Sequence, residues 1–420
     1  MSGRRRTNPA APTGTDERRE YLQSVLDALW PESTTIASAN GTGVPTERQR
    51  EFVVVPNARR PTLVLPLRPR RVTAAGLRHY KTSANARTRL KLQLFALGAQ
   101  VGLADLLPDR INVDRSGHGP ESGIEAYLSA ALNRDVLVSL YVGPSRAIQK
   151  PVLQLLSPRG QTLGFAKIGT NELTRELVRG EAATLAFLSG KPWKRLMVPT
   201  VLHHGIWRGH EVLVQEPLSG SRRGGKLNAA LMHGAMLELA SSSGVEFALV
   251  IGSAYWAKLC ARVERLPPSS YADSLAQAVH EISSRVVDVR LDFGSWHGDW
   301  APWNMTTSGG RINAWDWEQY AHPAPMGFDA LHYRIQSLVV SDQRSSDVAV
   351  ATTGREAAGL LAPFGVPPNV AALVMLMYIV DIAARYVHDG EYDAGTRMGN
   401  LDSWLSAALE RQLRAFSEVR

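Results

Sequence analysis

The sequence predicts an α+β fold in two lobes, a small sheet-rich lobe and a larger helical one, with an extra N-terminal α/β module in front. Three observations predict it. Residues 135–215 carry β-branched runs separated by turn chemistry. From Gly224 onward apolar residues recur at helical spacing, with a single hairpin between Asn304 and Trp317. The first 120 residues are distinctly basic and are closed by the Gly- and Ser-rich segment Arg115 to Gly123. A chain of 420 residues exceeds one ordinary core. The boundaries expected are a disordered tail over 1–19, a basic module over 20–120, the sheet lobe over 121–216 and the helical lobe over 217–420.

Taken in order, Glu20 to Trp30 reads as a short helix, followed by a polar stretch from Ser33 to Gln49. Phe52 to Val55 and Thr62 to Leu65 are short strands broken by prolines. Leu90, Leu94, Leu97, Val101 and Leu107 recur at a helical period, which predicts a helix over Arg87 to Leu107. Asp135 to Val142 is a strand; Pro151 to Leu156 and Gln161 to Ile168 form a hairpin around Ser157-Pro158-Arg159-Gly160. A helix over Leu173 to Leu188 and the strand Glu211 to Gln215 complete the sheet lobe. Helices then cover Leu227 to Ser241, Ala254 to Arg265, Tyr271 to Val287 and most of the last ninety residues.

Composition narrows the class. Hydrophobic residues at 44% and charged residues at 20% describe a soluble globular chain. The single cysteine, Cys260, excludes an internal disulfide framework and suits a reducing cytosol, so a cytoplasmic location is expected. The longest apolar run, Val370 to Val380, falls short of the ~18 residues of a membrane span and reads as a buried helix, so no transmembrane segment is expected. Net charge is uneven: residues 1–150 hold 22 Lys+Arg against 13 Asp+Glu, a net of +9, which leaves −1 for the rest of a chain at +8. Phe52 to Ala104 holds no acidic residue but ten basic ones, including Arg59, Arg60, Arg68, Arg70, Arg71 and Arg78. Such a stretch attracts a polyanion or an acidic surface, or is simply a solvated basic face.

The chemistry concentrates in Trp296-His297-Gly298-Asp299-Trp300-Ala301-Pro302-Trp303-Asn304 and in Asn313-Ala314-Trp315-Asp316-Trp317-Glu318. Asp299 and Asn304 have the Asp-x4-Asn spacing of kinase catalytic loops. Ser308-Gly309-Gly310-Arg311 is turn chemistry, which brings Asn304 and Asp316 together across a tight hairpin. A carboxylate and an amide oxygen so placed suit a hard cation that keeps several waters, which describes Mg.

These motifs resemble those of the aminoglycoside phosphotransferase and choline-kinase-like enzymes. That family's signature runs His-Gly-Asp-x4-Asn, Asp-Trp-Glu and a Pro…Asp segment, here His297 to Asn304, Asp316 to Glu318, and Pro325 to Asp329. Glycine at 298, where protein kinases carry arginine, favours the small-molecule branch. The resemblance implies a bilobal protein-kinase-like fold, with Asp299 as catalytic base and Asn304 and Asp316 as Mg ligands. It further implies that Asp329 holds the loop and that His297 bonds backbone rather than moving protons.

Upstream, Lys167 sits inside the apolar strand Leu163 to Ile168, where a lysine needs a partner. Glu181 lies on the following helix in a Gly-Glu-Ala-Ala context, with Glu176 as its rival. The pair matches the family's lysine that grips the α- and β-phosphates and the glutamate that orients it, against the plainer reading of a strand-to-helix salt bridge. The loop Tyr141 to Lys150 has one glycine, so Ser145, Arg146 and Lys150 stand in as phosphate donors. Gln215-Glu216-Pro217-Leu218 resembles the interlobe hinge; Glu216 and Leu218 would meet the adenine edge, since Pro217 has no N–H.

The function expected is transfer of the γ-phosphoryl group of ATP or GTP, with Mg, to a hydroxyl of a sugar, aminoglycoside-like or amino-alcohol acceptor. The alternative is a catalytically weak pseudokinase that binds a polyanion or partner through its basic module, favoured by the glycine-poor loop and opposed by the complete Asp/Asn/Asp set. A hydrolase built on His297 and Asp299 would need further ligands that the sequence does not offer. Five tryptophans crowd the motif segment and read as core filler beneath the loop rather than as a sugar platform. Asp381 and Arg385, four apart on one helix, are either a buried pair or part of an acceptor pocket, and the structural pair is the favoured reading.

Overall fold

The computed structural model describes residues 14–31, 34–38, 49–79, 86–114, 120–143, 149–218, 228–390 and 398–418. They divide into two compact units. The first takes the described residues up to 143, with 149–171 and 202–215; the second takes 172–201 and the residues from 216 onward.

In chain order the first unit comprises α1 (Gly14–Leu29), β1 (Thr34–Ser38), β2 (Gln49–Val55), β3 (Leu63–Pro66), α2 (Arg70–His79), α3 (Ala86–Val101), β4 (Asp109–Asp114), α4 (Ile124–Leu132), β5 (Leu137–Tyr141), β6 (Val152–Leu156) and β7 (Thr162–Gly169). The chain gives α5 (Glu172–Ser189) and β8 (Leu196–Met197) to the second unit, then returns with β9 (Val201–Trp207) and β10 (His210–Gln215). Nine strands form one sheet in the order β1-β4-β2-β3-β5-β6-β7-β10-β9.

Period-two alternation sorts its side chains. Phe52, Val54 and Val64 join α1 and α4 residues such as Leu26 and Leu128 in one core, while Val53, Leu63 and Leu65 join Ala74 and Leu77 of α2 and Ala96 and Ala99 of α3 in another. Both faces of the sheet are therefore covered by helices.

The boundary expected at residue 120 runs through this unit rather than beside it. β3 bonds to β5, Leu63 opposite Tyr141, so the basic module and the sheet lobe share one ladder. Helix α1 begins at Gly14, inside the stretch expected as tail, and residues 1–13 lie outside the described residues. Helix α3 is present, but Leu94, Leu97 and Val101 face outward at 55–74% exposure. Its packed face carries Ala96 and Ala99, small enough to bring the helix close to its neighbours. The basic stretch is partly self-satisfied: Arg68 and Arg70 both pair with Asp105, at 2.9 and 2.8 Å.

The second unit continues with α6 (Ala229–Ala240), β11 (Glu246–Leu249), α7 (Ala254–Glu264), α8 (Ser270–Arg285), β12 (Arg290–Trp296), β13 (Met305–Ser308), β14 (Arg311–Ala314), β15 (Ala321–Pro325), α9 (Phe328–Val340), α10 (Ser346–Leu361), α11 (Ala371–His388) and α12 (Leu405–Glu418). Helix α11 lies at the centre of the core, buried from Leu373 through Ala384. It is long and apolar enough to cross a membrane, yet it is buried within the fold. Besides the expected hairpin β13–β14, which β8 joins in parallel, the unit holds a second small sheet, β11-β12-β15. The helical lobe is thus less purely helical than its sequence suggests, and β12 delivers the chain directly into the motif segment.

Candidate active site

The residues of the motif lie in the loop between β12 and β13 and in the turn after β14, all within the second unit. Asp329, in the first turn of α9, fixes the loop from below. Its Oδ2 accepts the N–H of His297 at 2.9 Å and its Oδ1 that of Gly298 at 3.3 Å. Burial pushes its pKa up to about 7, against the lowering pull of those two N–H groups.

Gly298 has φ +83°, and a Cβ there would lie 2.0 Å from the carbonyl oxygen of Gln319. No side chain fits, arginine included, which gives the glycine a steric reason.

His297 is fully committed. Its Nε2 donates to Trp315 O at 3.1 Å and its Nδ1 accepts the N–H of Asp299 at 3.2 Å, which fixes the neutral tautomer. Burial lowers its pKa to about 4. Trp300 and Trp317 are wholly buried beside it, with ring centroids 5.8 and 4.4 Å from the imidazole, so they fill the core as expected.

Asp299 remains reachable, its side chain 29% exposed. Asn304 Nδ2 donates to Asp299 Oδ2 at 2.7 Å and to the Asp299 carbonyl oxygen at 3.1 Å. His332 Nε2 donates to its Oδ1 at 3.0 Å, while His332 Nδ1 accepts the hydroxyl of Tyr378 at 2.9 Å. Burial raises the pKa of Asp299, but the His332 hydrogen bond, with the charge of Arg385 behind it, outweighs this and leaves it below the usual carboxylate value. The carboxylate is therefore ionised at neutral pH, in the form that accepts a proton.

Beyond the hairpin, Trp315 N–H donates to Asn304 O at 3.1 Å and Asp316 adopts a left-handed conformation, φ +73°. That conformation is costly for a non-glycine residue. The carboxylates of Glu181, Asp316 and Glu318 lie within 4.8 Å of one another. Glu181, on α5 and fully buried, also accepts the N–H of Trp317 at 3.1 Å. With Asn304 Nδ2 turned to Asp299, its Oδ1 is the atom left for a cation. An all-oxygen set of this kind fits Mg.

Lys167 belongs to the first unit, on β7 between Val152 of β6 and Leu213 of β10. It is 6% exposed, on the sheet face opposite Ala166 and Ile168. Glu216 and Leu218 belong to the second unit; the Glu216 N–H donates to Thr200 O at 2.8 Å, which leaves only its carbonyl for a ligand. Ser145 and Arg146 lie outside the described residues.

Sequence reasoning missed His332 as a neighbour of the site, named Glu318 only as part of the Asp-Trp-Glu motif, and read Arg385 as half of a pair with Asp381. His332 follows Asp329 by one helical turn on α9, a signal visible once that helix is placed. Arg385 does not pair with Asp381: it donates to Gly298 O at 2.9 Å, while Asp381 bonds Arg262 at 2.6 Å. The loop's demand for a carbonyl partner redirects the guanidinium.

No family model matches the chain, and no curated protein matches it. Solved structures do. A thermostable mutant of the aminoglycoside phosphotransferase APH(4)-Ia is 14% identical with a TM-score of 0.46, covering 69% of this chain and 98% of that one. Choline kinase LicA from Streptococcus pneumoniae is 16% identical, TM-score 0.39, over 70% and 98% of the two chains. Amicoumacin kinase hAmiN, solved with AMP-PNP, Ca2+ and Ami, is 15% identical, TM-score 0.38, over 67% and 88%.

Proposed function

We propose that the chain is a small-molecule kinase that moves the γ-phosphoryl group of ATP or GTP onto a hydroxyl. The observation that carries this reading is the state of Asp299: ionised, reachable, and held at both carboxylate oxygens by Asn304 and His332. An acceptor hydroxyl placed against it is oriented for in-line attack. The acceptor oxygen forms its bond to Pγ as the bond from Pγ to the bridging oxygen breaks. The electron pair leaves with the nucleoside diphosphate, and Asp299 takes the hydroxyl proton.

Asn304 Oδ1 and the Asp316 carboxylate are the proposed holders of Mg, with Glu318 and Glu181 beside Asp316. When bound, Mg supplies neutralisation of polyphosphate charge. On the sequence resemblance, Lys167 and Glu181 are assigned to nucleotide binding, Lys167 to the α- and β-phosphates, and the Glu216 carbonyl and Leu218 N–H to the adenine edge. Ser145 and Arg146 remain assigned to the phosphates on sequence alone. A cytosolic setting belongs to the same reading and rests on the lone cysteine.

A nucleotide-consumption screen over hydroxyl-bearing metabolites and antibiotics tests the proposal. Product should form with wild type and fall by about 10²–10⁴-fold with Asp299→Ala at unchanged nucleotide affinity. Turnover within a few-fold of wild type in that variant removes Asp299 from the chemistry.

A further inference from the structure

A cleft of about 130 Å³ opens in the second unit between α7, α11 and the chain from Glu318 to Ala324. Trp296 and Arg385 form its wall on the side of the motif loop. Arg385 ties the cleft to that loop, because its Nη1 holds the carbonyl oxygen of Gly298, the residue before Asp299.

The charge of this wall is decided by what each ion already bonds. Arg262 and Asp381 pair at 2.6 Å and cancel. Glu318 belongs to the carboxylate cluster with Asp316 and Glu181. Two cations remain, and both are hydrogen-bonded to neutral carbonyl oxygens: Lys258 Nζ to His322 O at 3.0 Å, and Arg385 Nη1 to Gly298 O at 2.9 Å. Among the described residues neither makes an ion pair with a carboxylate. Tyr255 adds a buried hydroxyl to the same wall, where burial and the Asp381 carboxylate beside it keep it protonated. The cleft is lined by three cations, Lys258, Arg262 and Arg385, against two carboxylates, Glu318 and Asp381, which leaves its wall net positive beside the proposed base. A cationic amine placed there meets like charge, whereas an anionic group gains charge-assisted hydrogen bonds.

We infer that this cleft is the acceptor site and that the acceptor is a small hydroxyl compound carrying an anionic group, a carboxylate or a phosphate ester, held by Lys258 and Arg385 while its hydroxyl meets Asp299. The inference rests on the kinase reading and adds the acceptor's charge to it. The transfer is the one written above, with the anionic group a spectator.

Two matched series test it: glycerol, serinol, glycerate and glycerol 3-phosphate; and glucose, glucosamine, gluconate and glucose 6-phosphate. Each is assayed for Mg-nucleotide consumption, with nucleotide binding measured in parallel. The acid or phosphate ester should exceed its neutral and amino partners by about tenfold or more in kcat/KM, and comparison of the two anions tells carboxylate from phosphoryl recognition. Lys258 is exposed, so Lys258→Glu should fold, and it should reverse the order in favour of the amines. Equal or faster turnover of the neutral or amino compounds overturns the inference, as does a chain that binds Mg-nucleotide yet consumes none of the anionic acceptors. A chain that binds no Mg-nucleotide fails earlier, taking the kinase reading and this inference down together.

Discussion

Asp299, Gly298 and His332 each do a separate job within a few ångströms, and each can be changed alone. Gly298 gives the loop its left-handed turn against Gln319 O. Gly298→Ala should lower stability by about 2 kcal/mol or more and disturb the loop, read as a lower denaturant midpoint together with lost turnover. His332 is buried and links Tyr378 to Asp299 through its two ring nitrogens. His332→Ala should reduce kcat by about 10²-fold through misplacement of the carboxylate, with nucleotide affinity retained, and His332→Gln, which keeps a donor, should recover part of it. Equal kcat in wild type and His332→Ala would show that the relay does not position the base. At this scale the Asp-x4-Asn spacing foreshadows the bond from Asn304 to Asp299, and the turn at Ser308 to Arg311 foreshadows the hairpin that precedes Asp316. The bond of His332 to Asp299 and the partner of Arg385 were not legible, because they depend on which buried group faces the loop once α9 and α11 pack.

Among the elements, the hairpin β13–β14 sets the distance between the loop and the turn at Asp316. Its turn residues Gly309 and Gly310 have φ +57° and +76°, the two-residue hairpin geometry that Ser308-Gly309-Gly310-Arg311 announces. Gly309→Val and Gly310→Val should each cost about 1–2 kcal/mol and weaken Mg-dependent nucleotide binding, checked by unfolding and by titration. Other strands were hidden for physical reasons. β15 carries two prolines, which argue against a strand; β11 is four residues long; β8 is two residues long and needs β14 beside it. β4 alternates polar residues with Ile111 and Val113, so only its neighbours in the sheet show that it is half-buried.

For the molecule as a whole, the nine-stranded sheet merges what composition divides: a shift in charge near residue 120 marks a change of surface, not of core. Stability against pH also belongs to this scale. His297 has a pKa of about 4 in the folded chain against an ordinary 6.5, so between those values the unfolded chain binds more protons and stability rises with pH. Asp329, raised from 3.8 to about 7, acts in the opposite sense, because the folded chain holds the extra proton there and stability falls as pH rises. The difference in unfolding free energy between wild type and His297→Gln should therefore grow as pH rises from 4 to 6.5, by at most about 1.4 kcal/mol per pH unit, and stay level above that range. A difference that is constant throughout would mean that the imidazole is not buried in its neutral form.

The central claim is that oxygens from residues 304 and 316 hold a divalent cation for a bound nucleotide. Calorimetric titration of a non-hydrolysable ATP analogue, with and without Mg, on wild type and Asp316→Ala tests it most directly. The account predicts binding that strengthens at least about tenfold with Mg in wild type and loses that gain in the variant. Binding that is absent with Mg, or that is equally strong without it, would contradict the account.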